Sequence, residues 1–255
     1  MRFLARAGLT ARGVLYLVIG WIAVMIAFGK SSQQADRTGA LHLIGKSPPG
    51  EIALWLLVAG FAGMVVWRLF EAVFGSADPE GQKRSTRLAA AGWAAMYVVI
   101  AYGILIYALG IGSPQSSNQQ SVDLTATAMR VPGGRVIVVL VGLALSGGGL
   151  ALIYSAVRKR FVKRLSVGQI SAGTRRIVEW LGRVGGLARG AVFVTAGIFL
   201  IVAAVRAQPQ QAKGIDSALR TLAQTPLGPW LLLAVAIGLI MFGAYSCCEA
   251  RWRRF

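Results

Sequence analysis

Six stretches of this chain are long and apolar enough to cross a bilayer, and that constrains its folding more than any other feature. They run approximately Gly13–Gly29, Ile52–Phe74, Leu88–Gly110, Val136–Val157, Leu187–Val205 and Trp230–Cys248. A helix crosses the hydrocarbon core with roughly 20 apolar residues. In lipid each backbone amide needs an internal partner, so all six are expected to be helices. Of 255 residues only 14% are charged, against roughly a quarter in a soluble protein. So few charges do not coat a water-facing surface. The first run has the basic start of a secretory signal and a weak cleavage site at Ala27-Phe28-Gly29. The same pattern recurs late in the chain, where no signal stands, so the run is read as a span.

The net charge of +18 comes from 27 Lys+Arg against 9 Asp+Glu. These charges cluster at the ends of the apolar runs and form no recognition motif, which argues against nucleic acid as a partner. They also orient the spans. Nineteen of the 27 basic residues fall on one side, among them Arg2, Arg6, Lys83, Arg87, Arg158, Lys159 and Arg251; eight fall on the other. The richer side is expected to face the cytoplasm, with both termini there, in the cytoplasmic membrane.

A repeat organises the six spans. Arg6-Ala-Gly-Leu-Thr-Ala-Arg-Gly13 opens the first, and Arg183-Val-Gly-Gly-Leu-Ala-Arg-Gly190 opens the fifth. The outer loops share Gly39-Ala-Leu41 with Ser217-Ala-Leu219, and Pro48-Pro-Gly50 with Pro226-Leu-Gly228. The second helix of each copy ends in Glu71-Ala72 or Glu249-Ala250. The middle copy is weaker: Pro132-Gly-Gly134 matches the outer turn, Tyr97 matches Tyr16, and the Arg and Glu counterparts are missing. The expected fold is all-α: a polytopic bundle of three parallel two-helix hairpins in a pseudo-threefold arrangement. Residues 1–77, 78–160 and 183–255 form the hairpins, joined by a basic amphipathic linker over 161–182. With its Ala-Arg-Gly-headed hairpins, the chain resembles the bacterial membrane family catalogued as domain of unknown function 1206. The resemblance implies six helices in three repeats and implies no activity.

Arg12 and Glu71 are the sharpest chemical feature. In an antiparallel hairpin the start of one helix and the end of the next lie at similar depth. The two are therefore expected to meet near the cytoplasmic interface, as are Arg189 and Glu249. Arg68, one turn before Glu71, is a rival partner. Such a pair fixes hairpin register while both side chains snorkel, or marks a functional site; the first is the simpler reading. No ionisable residue lies near the centre of any span, which counts against a proton relay. His42 stands alone, and a metal site needs several ligands. No metal, cofactor or catalytic set is expected, so the chain does not read as an enzyme.

In the linker, Ser171 is expected to cap a helix carrying Ile177, Leu181 and Val184 on one face, with Trp180 alongside. Arg158, Lys159, Arg160, Lys163, Arg164, Arg175 and Arg176 are candidate contacts for anionic lipid. Short apolar pieces in the outer loops read as interfacial turns: Ala40, Leu41, Leu43 and Ile44 in the first, and Ala218, Leu219 and Leu222, capped by Asp216, in the third. Gly186-x-x-x-Gly190, Ala59-x-x-x-Gly63 and Ala144-x-x-x-Gly148 read as close helix packing, and adjacent Cys247 and Cys248 as small packed residues. The absences favour a structural, scaffold or accessory subunit, with a protein partner or second copy. The repeat architecture favours a channel or facilitator for a small solute or ion.

Overall fold

The computed structural model describes residues 2–29, 35–46, 48–75, 84–111, 116–165, 171–212 and 228–253. Among these residues eight α-helices form: α1 (Arg2–Ala27), α2 (Arg37–Gly45), α3 (Gly50–Phe74), α4 (Arg84–Ala108), α5 (Ser117–Met129), α6 (Gly134–Val157), α7 (Ala172–Val205) and α8 (Gly228–Trp252). Six of them, α1, α3, α4, α6, α7 and α8, are long and apolar enough to span a membrane. Three begin beyond their apolar runs, at the end of the bundle that carries the termini. α1 starts at Arg2, α4 at Arg84 and α7 at Ala172, where Ser171 accepts a hydrogen bond from the Thr174 amide. Arg12 and Arg189 consequently sit well inside helices.

The spans pack as a ring that follows chain order: α1 on α3, α3 on α4, α6 on α7, α7 on α8, and α8 back on α1. The most extensive seams join one repeat to the next, α6 to α7 and α8 to α1, and these two are built alike. A methyl group added at Gly13 would strike Cys247 and the Gly243 carbonyl. One added at Gly190 would strike Ile153 and the Gly149 carbonyl. Two turns on, Gly20 meets Ile240 and Ala236, while Gly197 meets Ser146 and Gly142. Small residues let these backbones approach closely, the main source of helix association in lipid.

The hairpin interfaces of the first and third copies also correspond. Gly8 lies on Gly60 and Met64, and Gly60 on Ala11; Gly185 lies on Phe242, and Gly238 on Ala188. The equivalent contact in the middle copy is missing: α4 and α6 do not pack along one another. Ala144 is exposed, and nothing lies within 4 Å of a methyl placed at Gly92, Gly147 or Gly148. The Ala144-x-x-x-Gly148 pattern, expected to pack, faces open space instead. The ring is split at this one place among the described residues.

The end opposite the termini is closed by shorter elements. α2 is capped by Asp36, which accepts from the Gly39 amide at 3.0 Å, and buries Ala40 and Leu41. α5, a polar helix that hydrophobicity alone does not reveal, is capped by Ser116. Arg37 of α2 donates to Gln120 of α5 at 3.2 Å. Burial pulls its guanidinium below the ordinary value, against the pull of Asp36. His42 Nδ1 lies 3.2 Å from the Tyr107 hydroxyl. Asp216, Ala218, Leu219 and Leu222 fall outside the described residues.

Candidate functional site

At the termini end the ring encloses a cavity of about 130 Å³, lined by side chains of α1, α3, α4, α6, α7 and α8. Its charged walls are Arg12, Arg68, Arg189, Arg253 and Glu249; its aromatic walls are Trp93, Tyr97, Phe161, Phe242 and Tyr245. Arg12 lies fifteen residues before the end of α1, and Arg189 sixteen before the end of α7. At 1.5 Å per residue that is about 22–24 Å from the far face. The site is thus within the apolar layer, toward the termini side.

The ion pairs differ from those the hairpin argument predicts. Arg12 does not meet Glu71. Its Nη2 donates to Glu249 of α8 at 2.8 Å, and its Nε to the Ser246 hydroxyl at 3.0 Å. Glu249 also accepts from Arg253 Nη1 at 2.6 Å. Glu71 takes the rival partner, Arg68, at 2.6 Å, with Arg253 3.9 Å away. The Arg12–Glu249 pair therefore joins neighbouring repeats, α1 lying against α8, while Arg68–Glu71 and Arg253–Glu249 are pairs along one helix. Arg253 was not singled out from the sequence, although its spacing of four from Glu249 is a visible helical pair.

Arg189 was expected to pair with Glu249. It does not: among the described residues no ion pair includes it. It is 6% exposed, and its Nε is buried without a hydrogen-bond partner. Its guanidinium carbon lies 4.8–5.6 Å from the rings of Phe242, Trp93, Phe193 and Tyr16. Such contacts are worth about 2 kcal/mol or more each when desolvated. They hold the cation without neutralising it.

The seam register explains why Arg189 is unpaired. Gly13 and Gly190 occupy equivalent places, so Arg12 and Arg189 do too. Cys247 and Ile153 are likewise equivalent, and in that register Glu249 corresponds to Ser155, and Ser246 to Leu152. Arg12 has a carboxylate and a hydroxyl where Arg189 has Ser155 and Leu152. Both of these line the cavity. In the middle copy the same position is Trp93, and its carboxylate, Glu71, is engaged by Arg68 instead.

The linker closes the site from the termini side. Phe161 stands edge-on to Tyr245 at 5.3 Å and fills the space beside Gly182. Leu165 forms an isolated antiparallel bridge with Arg253. The face of α7 that buries here is Val178, Gly182 and Gly185, while Ile177 and Trp180 of the expected apolar face are exposed. Of the candidate lipid-binding cations, Lys159 and Arg175 are both bound by Glu179, at 2.8 and 2.9 Å. Arg158 and Arg160 rest on Tyr154, and Arg176 is exposed. The side chains of Lys163 and Arg164 lie outside the described residues.

Comparison with known proteins agrees with this threefold plan. The chain is 30% identical over 243 residues to "Uncharacterized protein YxxB" of Bacillus subtilis (strain 168), covering 94% of this chain and 87% of the relative. No solved structure matches. The model of the family described as Domain of Unknown Function (DUF1206) matches three times, over residues 7–75, 88–159 and 184–253. Arg12, Trp93 and Arg189 each stand five residues after the start of a match; Glu71, Ser155 and Glu249 each stand four before its end. A multi-pass helical membrane protein with three internal repeats, the chain belongs to the DUF1206 family.

Proposed function

We propose that this protein binds an anion in the membrane, with Arg189 as the receptor for a carboxylate or phosphoryl group. Arg189 carries the reading: a buried arginine with no counter-ion among the described residues, lining a cavity beside the place where its symmetry mate has a glutamate. Burying an uncompensated charge costs several kcal/mol. A purely structural scaffold gains nothing from that cost, and an exchange of Arg189 for an apolar residue would remove it. A ligand oxyanion at the position of the missing carboxylate accepts from Nε and Nη of the guanidinium fork.

The cavity supports binding or carrying more than an open pore. Toward the opposite face the bundle is filled by Phe61, Leu57, Ile104, Ile22 and Leu232, all buried. A channel would need this plug to part. The reading includes no catalytic step. It keeps the termini and the cavity on the cytoplasmic side, from the bias of Lys and Arg, with Arg158, Arg160 and Arg176 against anionic headgroups.

The test is thermal unfolding of the protein in nanodiscs with inorganic phosphate and a panel of carboxylates. A ligand that binds only the folded state raises the midpoint as its concentration passes Kd. The expected result is saturable stabilisation by at least one anion, lost in Arg189→Gln. No stabilisation by any member, or equal stabilisation of Arg189→Gln, overturns the reading. Topology is tested separately by single cysteines at Ser117 and Ser166 in a Cys-free background. A membrane-impermeant thiol reagent should reach them from opposite sides; labelling of both from one side breaks the six-span arrangement.

A further inference from the structure

The gap between α4 and α6 opens into the arginine cavity. Trp93 and Tyr97 of α4 and Leu152 and Ser155 of α6 line that cavity together. In the other two copies the equivalent helices are in tight contact: Gly8 with Met64, Gly60 with Ala11, Gly185 with Phe242, Gly238 with Ala188. At these places the middle copy has Ala89 and Ala144 where the other two have glycine, and Gly92 and Gly148 where they have alanine and Met64 or Phe242; all four are exposed. The helices stand apart with an unpaired cation, 94% buried, at the inner end of the gap between them.

We infer that this gap is a lateral site for an anionic amphiphile, whose phosphate or carboxylate head rests on Arg189 while its hydrocarbon chain lies between α4 and α6. The inference rests on Arg189 as an anion receptor and adds the tail and the route. Both parts of the site match one molecule. Of the four arginines in the cavity walls, Arg12 and Arg253 are engaged by Glu249 and Arg68 by Glu71, which leaves the charge of Arg189 to attract an anion. Val99 of α4 and Ala144, Gly148 and Ala151 of α6 are exposed and carry no charge. A water-soluble anion would leave that apolar gap unfilled. An amphiphile fills it and reaches Arg189 from the bilayer without its head crossing the hydrocarbon layer, where a free charge is costly.

The experiment uses the whole chain in nanodiscs, with hexadecyl phosphate bearing a diazirine near the end of its chain. Illumination should give adducts concentrated on α4 and α6, reduced by unlabelled hexadecyl phosphate and lost in Arg189→Gln. Gly148→Trp, and independently Ala144→Trp, fill the gap from exposed positions. Each should lower the apparent affinity for hexadecyl phosphate by at least about tenfold while leaving stabilisation by inorganic phosphate unchanged. Adducts spread evenly over all lipid-facing helices, or tryptophan variants that bind hexadecyl phosphate like the parent, overturn the inference and leave the Arg189 reading intact. Failure of both phosphate and hexadecyl phosphate to bind overturns both. A second copy of the chain in the gap would appear as a dimer that Gly148→Trp dissociates, and that also overturns the amphiphile.

Discussion

Arg12 and Arg189 are the same residue of two repeats in opposite electrostatic states. Arg12 is 6% exposed and so is Arg189; both follow Ala and precede Gly on a first helix, and both cross a glycine seam to a neighbouring second helix. Across the seam Arg12 finds Ser246 and Glu249, while Arg189 finds Leu152 and Ser155. Two side chains on α6 therefore separate a satisfied ion pair from an open receptor. The Arg12 corner holds the bundle together, and the Arg189 corner is held by rings and left available. The frame repeats, and Ser155 in place of a glutamate leaves the Arg189 corner without the acid that the Arg12 corner has.

The largest test of this contrast is stability. Glu249→Gln strands the buried Arg12 and leaves Arg253 only its longer 3.9 Å contact with Glu71, and should cost about 3–5 kcal/mol. Arg189→Gln removes a cation with no acid partner among the described residues; the relief of its burial and the loss of its ring contacts oppose one another, so the net change should stay within about 1 kcal/mol. Denaturation of both variants in the same detergent, followed by circular dichroism, compares them. Equal losses would mean that Arg189 is structural, and the comparison breaks.

The next test converts one corner into the other. Ser155→Glu supplies the carboxylate that the repeat register places beside Arg189. Charge-assisted hydrogen bonds of this kind contribute about 1.5–3 kcal/mol. The variant should be more stable than the parent and should no longer be stabilised by phosphate, because its own carboxylate occupies the site. Adding Arg189→Gln should abolish the gain. Leu152→Ser is the milder form: it offers Nε an acceptor, with a gain of about 0.5–1.5 kcal/mol, and leaves room for the anion. If Ser155→Glu destabilises the protein, the two corners are not related by the repeat as described.

The spans and the threefold repeat were legible because each depends on local pattern: twenty apolar residues, a Pro-Gly turn, an Ala-Arg-Gly start. α3, α6 and α8 begin at Gly50, Gly134 and Gly228, the three positions those turns mark. The partners of the arginines were not legible, because a hairpin argument assumes that neighbours in the chain are nearest in space. Here the closest contacts lie between repeats, and their signal is the spacing of seven in Gly13/Gly20 and Gly190/Gly197, one helical face repeated. Matching Tyr97 to Tyr16 already places Trp93 opposite Arg12, so the aromatic wall was within reach of the sequence. The split between α4 and α6 was not. Gly92, Ala144 and Gly148 look like a packing face by composition, and only the position of the helices shows it unpaired.

That split yields the finest comparison. A methyl at Gly190 meets Ile153 and the backbone of Gly149, and one at Gly13 meets Cys247 and the backbone of Gly243. Backbone does not yield as a flexible side chain does, so Gly13→Ala and Gly190→Ala should each cost about 1–3 kcal/mol by overpacking. Gly92 and Gly148 have nothing within 4 Å of the added methyl. There alanine only reduces the freedom of the unfolded chain, and Gly92→Ala and Gly148→Ala should stabilise the helices by about 0.5–1 kcal/mol. Unfolding of the four variants in parallel reads the two signs directly. A loss at Gly148 as large as that at Gly190 would mean that α4 and α6 close on one another in the bilayer.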